Sequence, residues 1–383
     1  MSSKSGINRE DVEIAIFCAL PIEARAIKNV MDNNPDDPEH SRATKTGPDE
    51  NAYTLGKMGD RTVVLVHLPS VGKISSTLAS THLKHTYPNI ELAILAGICG
   101  GVPKDGTKVT RNLGDVVIGT SVHQFDMRRL YPDQDQQSEH SRALLGEPSP
   151  EIVAFIKKLQ SSKETLLETR QKTISTTMTT LGNKAPELPL WDVLYDANHW
   201  HMHHNKQCCT KGEKICEAAR RATCEELQCD SDKNNTEHSL RQTELEPKIH
   251  FGQVGCGDVV MKSGTDRDNL AKQKRIIALD MEGAGIAMHE GCLFVKSISD
   301  YADSHKNKVW QEHASLASAA CTKAIIGEWI STDKEELKEM AQKIQNNNIY
   351  GNANVGMVTQ DATMRDPTFN FGCKMRQAPA GKA

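Results

Sequence analysis

The chain has 383 residues, enough to bury one large α/β core with insertions or two smaller cores. Its 46 Lys plus Arg nearly balance 50 Asp plus Glu, a formal charge of −4, and no dense basic stripe follows a phosphate backbone, so nucleic acid is excluded as an expected partner. No apolar N-terminal core or membrane-length apolar run is present, so a soluble cytoplasmic protein without membrane contact is expected; the odd total of 11 cysteines, with Cys18, Cys99, Cys256 and Cys292 inside apolar runs, points to buried thiols rather than disulfides.

In chain order, Glu13 to Leu20 is a short run of β-formers, and Pro21 then leads into a helix-like stretch from Ile22 to Met31. Residues 32 to 51 carry almost no apolar content and read as a surface loop. A second strand is expected over Arg61 to Leu68, a helix over Lys73 to His85, and a third strand over Glu91 to Gly97, running into Gly-Ile-Cys-Gly-Gly. Gly114 to Thr120 reads as a further strand. The alternation of strand with helix signals a parallel or mixed sheet. From about 133 to 247 the chain turns polar, with a helical stretch at Pro150 to Leu159 and the densest Cys and His usage, which reads as an insertion. Order returns with an apolar run at Ile249 to Cys256, a helix at Asp266 to Arg275 and a strand at Ile276 to Leu279. A buried helix at Gly283 to His289 and a buried strand at Cys292 to Ile298 follow. Trp310 to Ile330 has apolar spacing near 3.6 and reads as a long closing helix. The domains expected are therefore 1–132 with 248–332, the insertion 133–247, and a short helix with a disordered tail at 333–383.

Several segments share one design, a buried strand ending in a Gly-rich or acidic turn, the place where α/β sheets bind ligands. They are Leu20-Pro21-Ile22-Glu23, Gly97-Ile98-Cys99-Gly100-Gly101, Gly257-Asp258 with Asp280-Met281-Glu282-Gly283, and Ser299-Asp300-Tyr301-Ala302-Asp303. Carboxylates directly after apolar strands need partners, so Glu282 and Asp300 are candidate site residues. Each also has a plainer reading: Glu23 as a helix-dipole complement, the glycines as a tight turn, and Asp280, Glu282 and Asp300 as helix caps.

Taken together, Ala19-Leu20-x-x-Glu23, Ser70-Val71-Gly72-Lys73, Ala96-Gly97-x-Cys99-Gly100-Gly101, Gly114-Asp115-Val116-Val117, Gly257-Asp258, Met281-Glu282-Gly283-Ala284 and Ser299-Asp300 occur in order. This pattern resembles the nucleoside phosphorylase and nucleosidase superfamily, and most of all its fungal branch, whose members carry a run like Asp300 to Lys308. The resemblance covers residues 13 to 132 and 248 to 330. It implies a three-layer α/β sandwich with a central mixed sheet flanked by helices, a purine nucleoside as small-molecule substrate, a homo-oligomer, and no organic cofactor. It implies that Asp300 protonates the leaving base at N7, that Glu282 holds the ribose hydroxyls with Met281 under the ring, and that Val260, Met261 and Ser299 contact the base. Gly100 and Gly101 would border the nucleophile.

Hydrolysis and phosphorolysis differ at one position. Nucleosidases of the superfamily place a glutamate after the first strand to deprotonate water, and Glu23 matches it. Phosphorylases carry Gly-Asp-Pro with a following arginine, where this chain has Ala-Leu-Pro-Ile-Glu, and Arg25 does not fall on the family's arginine. Ile98 also stands where a hydroxyl residue is common. Hydrolysis is therefore expected, with phosphorolysis as the alternative. The fungal branch is often fused to receptor domains, which raises a third reading, a nucleoside-binding signalling module without turnover. In the insertion, Cys208, Cys209, Cys216, Cys224 and Cys229 lie among four histidines, enough ligands for a structural zinc. Their spacing is irregular, with no CxxC pair, which favours a polar excursion with idle thiols.

Overall fold

The computed structural model describes residues 9–33, 45–104, 110–127, 148–189, 191–204, 207–210, 213–229, 248–287 and 292–330, and the backbone of 236–240. The chain divides into one unit over 1–331 and another over 332–383; the second, with its expected short helix and tail, lies outside the described residues.

The run Ile14–Cys18 forms β1, buried along its whole length. Period-2 alternation sends Ile14, Ile16 and Cys18 into one helical layer and Ala15 and Phe17 into the other, as a strand covered on both faces requires. Helix α1 (Pro21–Val30) begins on proline, whose missing N–H costs nothing at a helix start, and buries Ala24, Ile27 and Val30 on one stripe. Strands β2 (Ala52–Met58) and β3 (Arg61–His67) form a hairpin closed by Gly59 at φ 60 and Asp60. Then follow α2 (Lys73–Thr86), β4 (Leu92–Gly101) and β5 (Val116–Gln124).

The segment expected as a polar insertion divides in two. Helices α3 (Pro150–Ser161) and α4 (Lys163–Leu181) belong to the main core, where Ile152, Phe155, Ile156, Leu159, Leu166 and Ile174 are buried against the last helix. Only the part after them stands apart: β6 (Trp191–Tyr195), α5 (Glu217–Arg221), α6 (Cys224–Leu227) and β7 (Thr236–Leu240), with β6 and β7 paired antiparallel. Its own apolar cluster is small, built on Tyr195, Met202, Cys209, Ala219, Leu227 and Cys229. The chain then returns through β8 (Ile249–Cys256), α7 (Gly264–Lys274), β9 (Ile276–Asp280), α8 (Gly283–Ile286), β10 (Cys292–Asp300) and α9 (Gln311–Glu328).

The sheet runs β10-β5-β8-β9-β4-β1-β3-β2, and β10 also pairs with β4. Five strands thus close into a ring, β4-β10-β5-β8-β9, while β1, β3 and β2 extend from β4 as an open wing. Strand β4 makes the closure by changing partners. Its first part lies between β1 and β10, and its last residues, Gly100 and Gly101, pair antiparallel with Leu279 and Ala278 of β9. Parallel and antiparallel pairs coexist, so the expected mixed sheet flanked by helices is found. Helices α1, α3, α4 and α9 share one core and α2 and α8 pack toward the other. Spacing near 3.6 in α9 reads as an amphipathic helix, yet from Ala314 to Ile326 almost every position is buried, because sheet, α1 and α4 surround it. Among the described residues no helix is long and apolar enough to cross a membrane, and no disulfide joins the described cysteines.

Phe155 meets Trp329 edge-on at a ring separation of 4.8 Å inside this core. Phe155→Ala should cost about 3–5 kcal/mol in urea unfolding; a change near zero would show that α3 is a surface appendage.

Candidate active site

The C-terminal ends of β1, β9 and β10 each deliver a buried carboxylate to the glycine-rich end of β4. Glu23, on the first turn of α1, is 2% exposed. Its Oε2 accepts from Ala19 N at 2.9 Å and Leu20 N at 2.8 Å, so beyond complementing the helix dipole it holds the two amides that lead into α1. Its Oε1 accepts from Ile98 N across the sheet at 2.8 Å. The carboxylate fits there because Gly97, at φ 145, has no side chain: a Cβ would lie 2.0 Å from Glu23 Oε1.

Asp300 closes β10. Its Oδ2 accepts from Ser299 Oγ at 2.9 Å and pairs with Lys306 Nζ at 3.0 Å, and its Oδ1 accepts from Ala302 N at 3.0 Å. Ala302 takes a left-handed φ of 53 to present that amide, and a Cβ on Gly100 would lie 3.0 Å from its methyl group and 3.5 Å from Asp300 Oδ1. A Cβ on Gly101 would instead meet Ile298, so this glycine permits packing between β4 and β10.

Glu282 follows β9. Its Oε1 accepts from Gly72 N at 3.1 Å, at the head of α2, and its Oε2 pairs with Lys296 Nζ at 3.0 Å. Lys296 is 1% exposed in the middle of β10 and also lies 2.6 Å from Asp280 Oδ1. Asp280 in turn accepts from the amides of Glu282 at 2.9 Å and Gly283 at 2.6 Å, and so caps α8. Burial alone would lower the Lys296 pKa, but the two carboxylates outweigh it and hold it well above the ordinary lysine value. One cation cannot balance two buried anions, and the two carboxyls part company. Burial pushes Asp280 up, but its contact with Lys296 wins and its pKa falls below the usual range. Burial, with Asp280 as a neighbouring charge, pushes Glu282 up to about 7 against the pull of Lys296.

The other residues singled out in the sequence lie at varied depth. Met281 is half-buried beside Glu282, and Ser299 is buried on Asp300. Met261 packs on a small cluster with Val102 and Leu279, whereas Val260 is 54% exposed. Arg25 points outward to Glu312 at 3.7 Å, with a side chain 62% exposed. Sequence reasoning misses Lys296 and Lys306, and it gives Asp280 only the helix-cap reading, which its contacts to the Glu282 and Gly283 amides fit. Lys296 had a signal, a lone cation inside the apolar run Leu293-Phe294-Val295-Lys296-Ser297-Ile298. A cavity of about 210 Å³ lies against Ser299, Asp300, Tyr301 and Lys306, and its far wall is Trp191, Tyr195 and Cys224 from the excursion. Asp192 ties the two together, accepting from Tyr301 Oη at 2.8 Å and Leu113 N at 3.0 Å. The excursion's cysteines also gather: Cys208, Cys209 and Cys216 around His203, and Cys224 and Cys229 around His201.

A family model described as the Phosphorylase superfamily matches residues 13–327. A nucleotide-binding leucine-rich repeat (NLR)-like protein of Hyaloscypha variabilis is 25% identical over 327 residues, 83% of this chain, and the chain spans 29% of that relative's length. Futalosine hydrolase of Helicobacter pylori shares the fold at a TM-score of 0.50 and 15% identity, over 84% of this chain and 100% of that one. The 5′-methylthioadenosine/S-adenosyl homocysteine nucleosidase of Helicobacter pylori superposes at a TM-score of 0.49 and 16% identity, over 85% and 100% of the two chains.

Lys296→Met should destabilise the fold by about 3–5 kcal/mol, because it leaves Asp280 and Glu282 buried without a countercharge. Stability should also depend on pH through Glu282. Its folded pKa of about 7 exceeds the ordinary 4.5, so the folded state keeps a proton that the unfolded chain releases. That contribution is complete below about pH 4.5 and is lost as pH rises toward 7. Glu282→Gln should flatten this slope in unfolding titrations, and an unchanged slope would assign it to another group.

Proposed function

The chain belongs to the Phosphorylase superfamily, and on that footing we propose that it hydrolyses the N-glycosidic bond of a purine nucleoside, giving free base and ribose. The observation that carries this reading is the placement of Glu23. A carboxylate has about four lone-pair sites. Three backbone N–H groups, of Ala19, Leu20 and Ile98, occupy Glu23 and leave room for a water. A phosphate nucleophile needs cations or several amide donors. Here it would meet a buried carboxylate, while the nearest arginine in sequence, Arg25, is turned to solvent and Glu312.

In this mechanism the bond from the ribose C1′ to the base breaks and its electron pair moves to the base, which takes a proton at N7 from Asp300. Water adds to C1′ and gives a proton to Glu23. Glu282 accepts from the ribose hydroxyls and offsets the cationic sugar, with Met281 beneath it. Val260 and Met261 line the base, and Ser299 fixes the Asp300 carboxyl. Because only an ionised Glu282 offsets the cationic sugar, kcat/KM should rise as pH rises toward and through about 7.

Two observations favour a second reading, recognition without turnover. Lys306 occupies Asp300 Oδ2, where the base nitrogen would dock, and a relative is an NLR-like protein. One experiment separates the readings: adenosine, inosine, guanosine and their 5′-substituted analogues incubated with and without phosphate. Free ribose formed without phosphate, carrying label from ¹⁸O-water, is the expected product. Ribose 1-phosphate formed only with phosphate would replace hydrolysis by phosphorolysis, and calorimetric binding with no product would select the second reading. Asp300→Asn should lower kcat by about 10²–10⁴-fold.

We propose a cytoplasmic homo-oligomer as the working form. Val71, Ile74 and Leu78 are 45%, 76% and 56% exposed at the start of α2, beside the Gly72 contact to Glu282, and a second copy would cover them. Light scattering should show an oligomer that Ile74→Glu with Leu78→Glu converts to monomer; a monomeric native chain would reject this placement.

A further inference from the structure

Among the described residues, the excursion buries six apolar side chains in a cluster of its own, a small core for a fold. It compensates with an unusual density of Cys and His in the order His201-x-His203-x4-Cys208-Cys209-x6-Cys216-x7-Cys224-x4-Cys229. Three thiols converge on one ring nitrogen. His203 Nδ1 lies 3.5 Å from Cys208 Sγ, 3.7 Å from Cys209 Sγ and 3.5 Å from Cys216 Sγ. A ring nitrogen carries either one proton or one lone pair and cannot satisfy three thiols by hydrogen bonding. A shared cation satisfies all of them. With zinc bonds of about 2.3 Å to sulfur and about 2.05 Å to nitrogen, a tetrahedral angle sets the N to S separation at about 3.6 Å.

A second set repeats the geometry. His201 Nδ1 lies 3.6 Å from Cys224 Sγ and 3.4 Å from Cys229 Sγ. Its other nitrogen, Nε2, sits 2.9 Å from Ala222 O, the outer contact that fixes the tautomer leaving Nδ1 to a metal. Backbone amides support the sulfurs of the first set: Cys216 N donates to Cys209 Sγ at 3.4 Å, and Ala219 N donates to Cys216 Sγ at 3.4 Å. An isolated antiparallel bridge between Thr210 and Lys214 lies between Cys209 and Cys216 in the chain. Beside the second set stands His305, its ring 5.5 Å from that of His201, stacked on Tyr195 at 3.6 Å and with Nδ1 3.7 Å from Asp303 Oδ1.

We propose that the excursion is a structural zinc module holding two ions, one on His203, Cys208, Cys209 and Cys216, the other on His201, Cys224 and Cys229. The second ion is also a brace for the acid loop. His201 N donates to Ser304 Oγ at 3.0 Å, His305 lies on the same loop five residues from Asp300, and Cys224 shares the cavity with Asp300. Metal binding therefore fixes the loop that holds Asp300 and Lys306.

The test uses the full chain purified without chelator. Elemental analysis should give two zinc per chain, released in step with mercurial titration of the thiols. Cobalt replacement should give the thiolate charge-transfer and intense d–d bands of tetrahedral sites. Cys208→Ser with Cys216→Ser should remove one equivalent, and Cys224→Ser with Cys229→Ser the other. Native protein that holds no zinc and takes up none would overturn the proposal without recourse to variants. Zinc retained in full by both double variants would overturn it as well. A single equivalent indifferent to Cys224 and Cys229 would overturn the second site.

Discussion

A buried ammonium between two carboxylates sets the geometry of the site. Lys296 stands in β10 opposite Gly97 of β4, inside the sheet, where an uncompensated charge costs several kcal/mol. Asp280 and Glu282 must therefore stay where they are. Asp280 passes the constraint on by capping α8, and Glu282 passes it to the head of α2 through Gly72. Gly285 of α8 then sits so close to α2 that a side chain there would strike Ser76 and the Lys73 carbonyl. The protonation of Glu282 thus belongs to a three-body balance set by the core, and not to Glu282 alone.

The ring of strands makes that balance geometrically possible. A flat sheet would leave the ends of β9 and β10 apart, whereas β4, by changing partners at Gly100, draws both to one place. Each glycine at the end of β4 is a mould for one neighbour: Gly97 for the Glu23 carboxylate, Gly100 for Ala302, Gly101 for Ile298. Precision at the site comes from side chains that are missing as much as from those present.

Much of this was legible in the sequence. Strands β1, β3, β4 and β10 are continuous apolar runs, which buried strands must be, and the acidic residues after them stood out because burying them demands partners. Strand β2 is hard to read because Ala52–Met58 mixes polar and apolar positions, although the two-residue turn Gly59-Asp60 ahead of β3 is a hairpin signal. Helix α3 is legible as a helix but not as part of the core, since sequence shows an apolar stripe and not the partner it packs on. The ring closure depends on long-range pairings of β4 that no local pattern encodes. Lys296 reads as an oddity in a strand until Asp280 and Glu282 are seen around it. The Cys and His ligands fail the regular spacings because a turn and two short helices, rather than paired CxxC loops, bring them together.

Among the described strands, ring closure also leaves the wing with one border that no strand pairs, the outer side of β2. An uncovered strand border invites pairing with other chains and, at high concentration, aggregation. The segment after α1 blunts it. Asp32 N donates to Lys57 O at 2.9 Å, Lys57 N donates to Asn33 Oδ1 at 2.7 Å, Gly59 N donates to Asp32 Oδ2 at 2.7 Å, and the Met31 thioether fills the place of a Gly56 side chain. The residues that leave α1, the helix carrying Glu23, are therefore also the guard against self-templating at the far side of the sheet, and colloidal solubility and site geometry are inherited through one short stretch of chain.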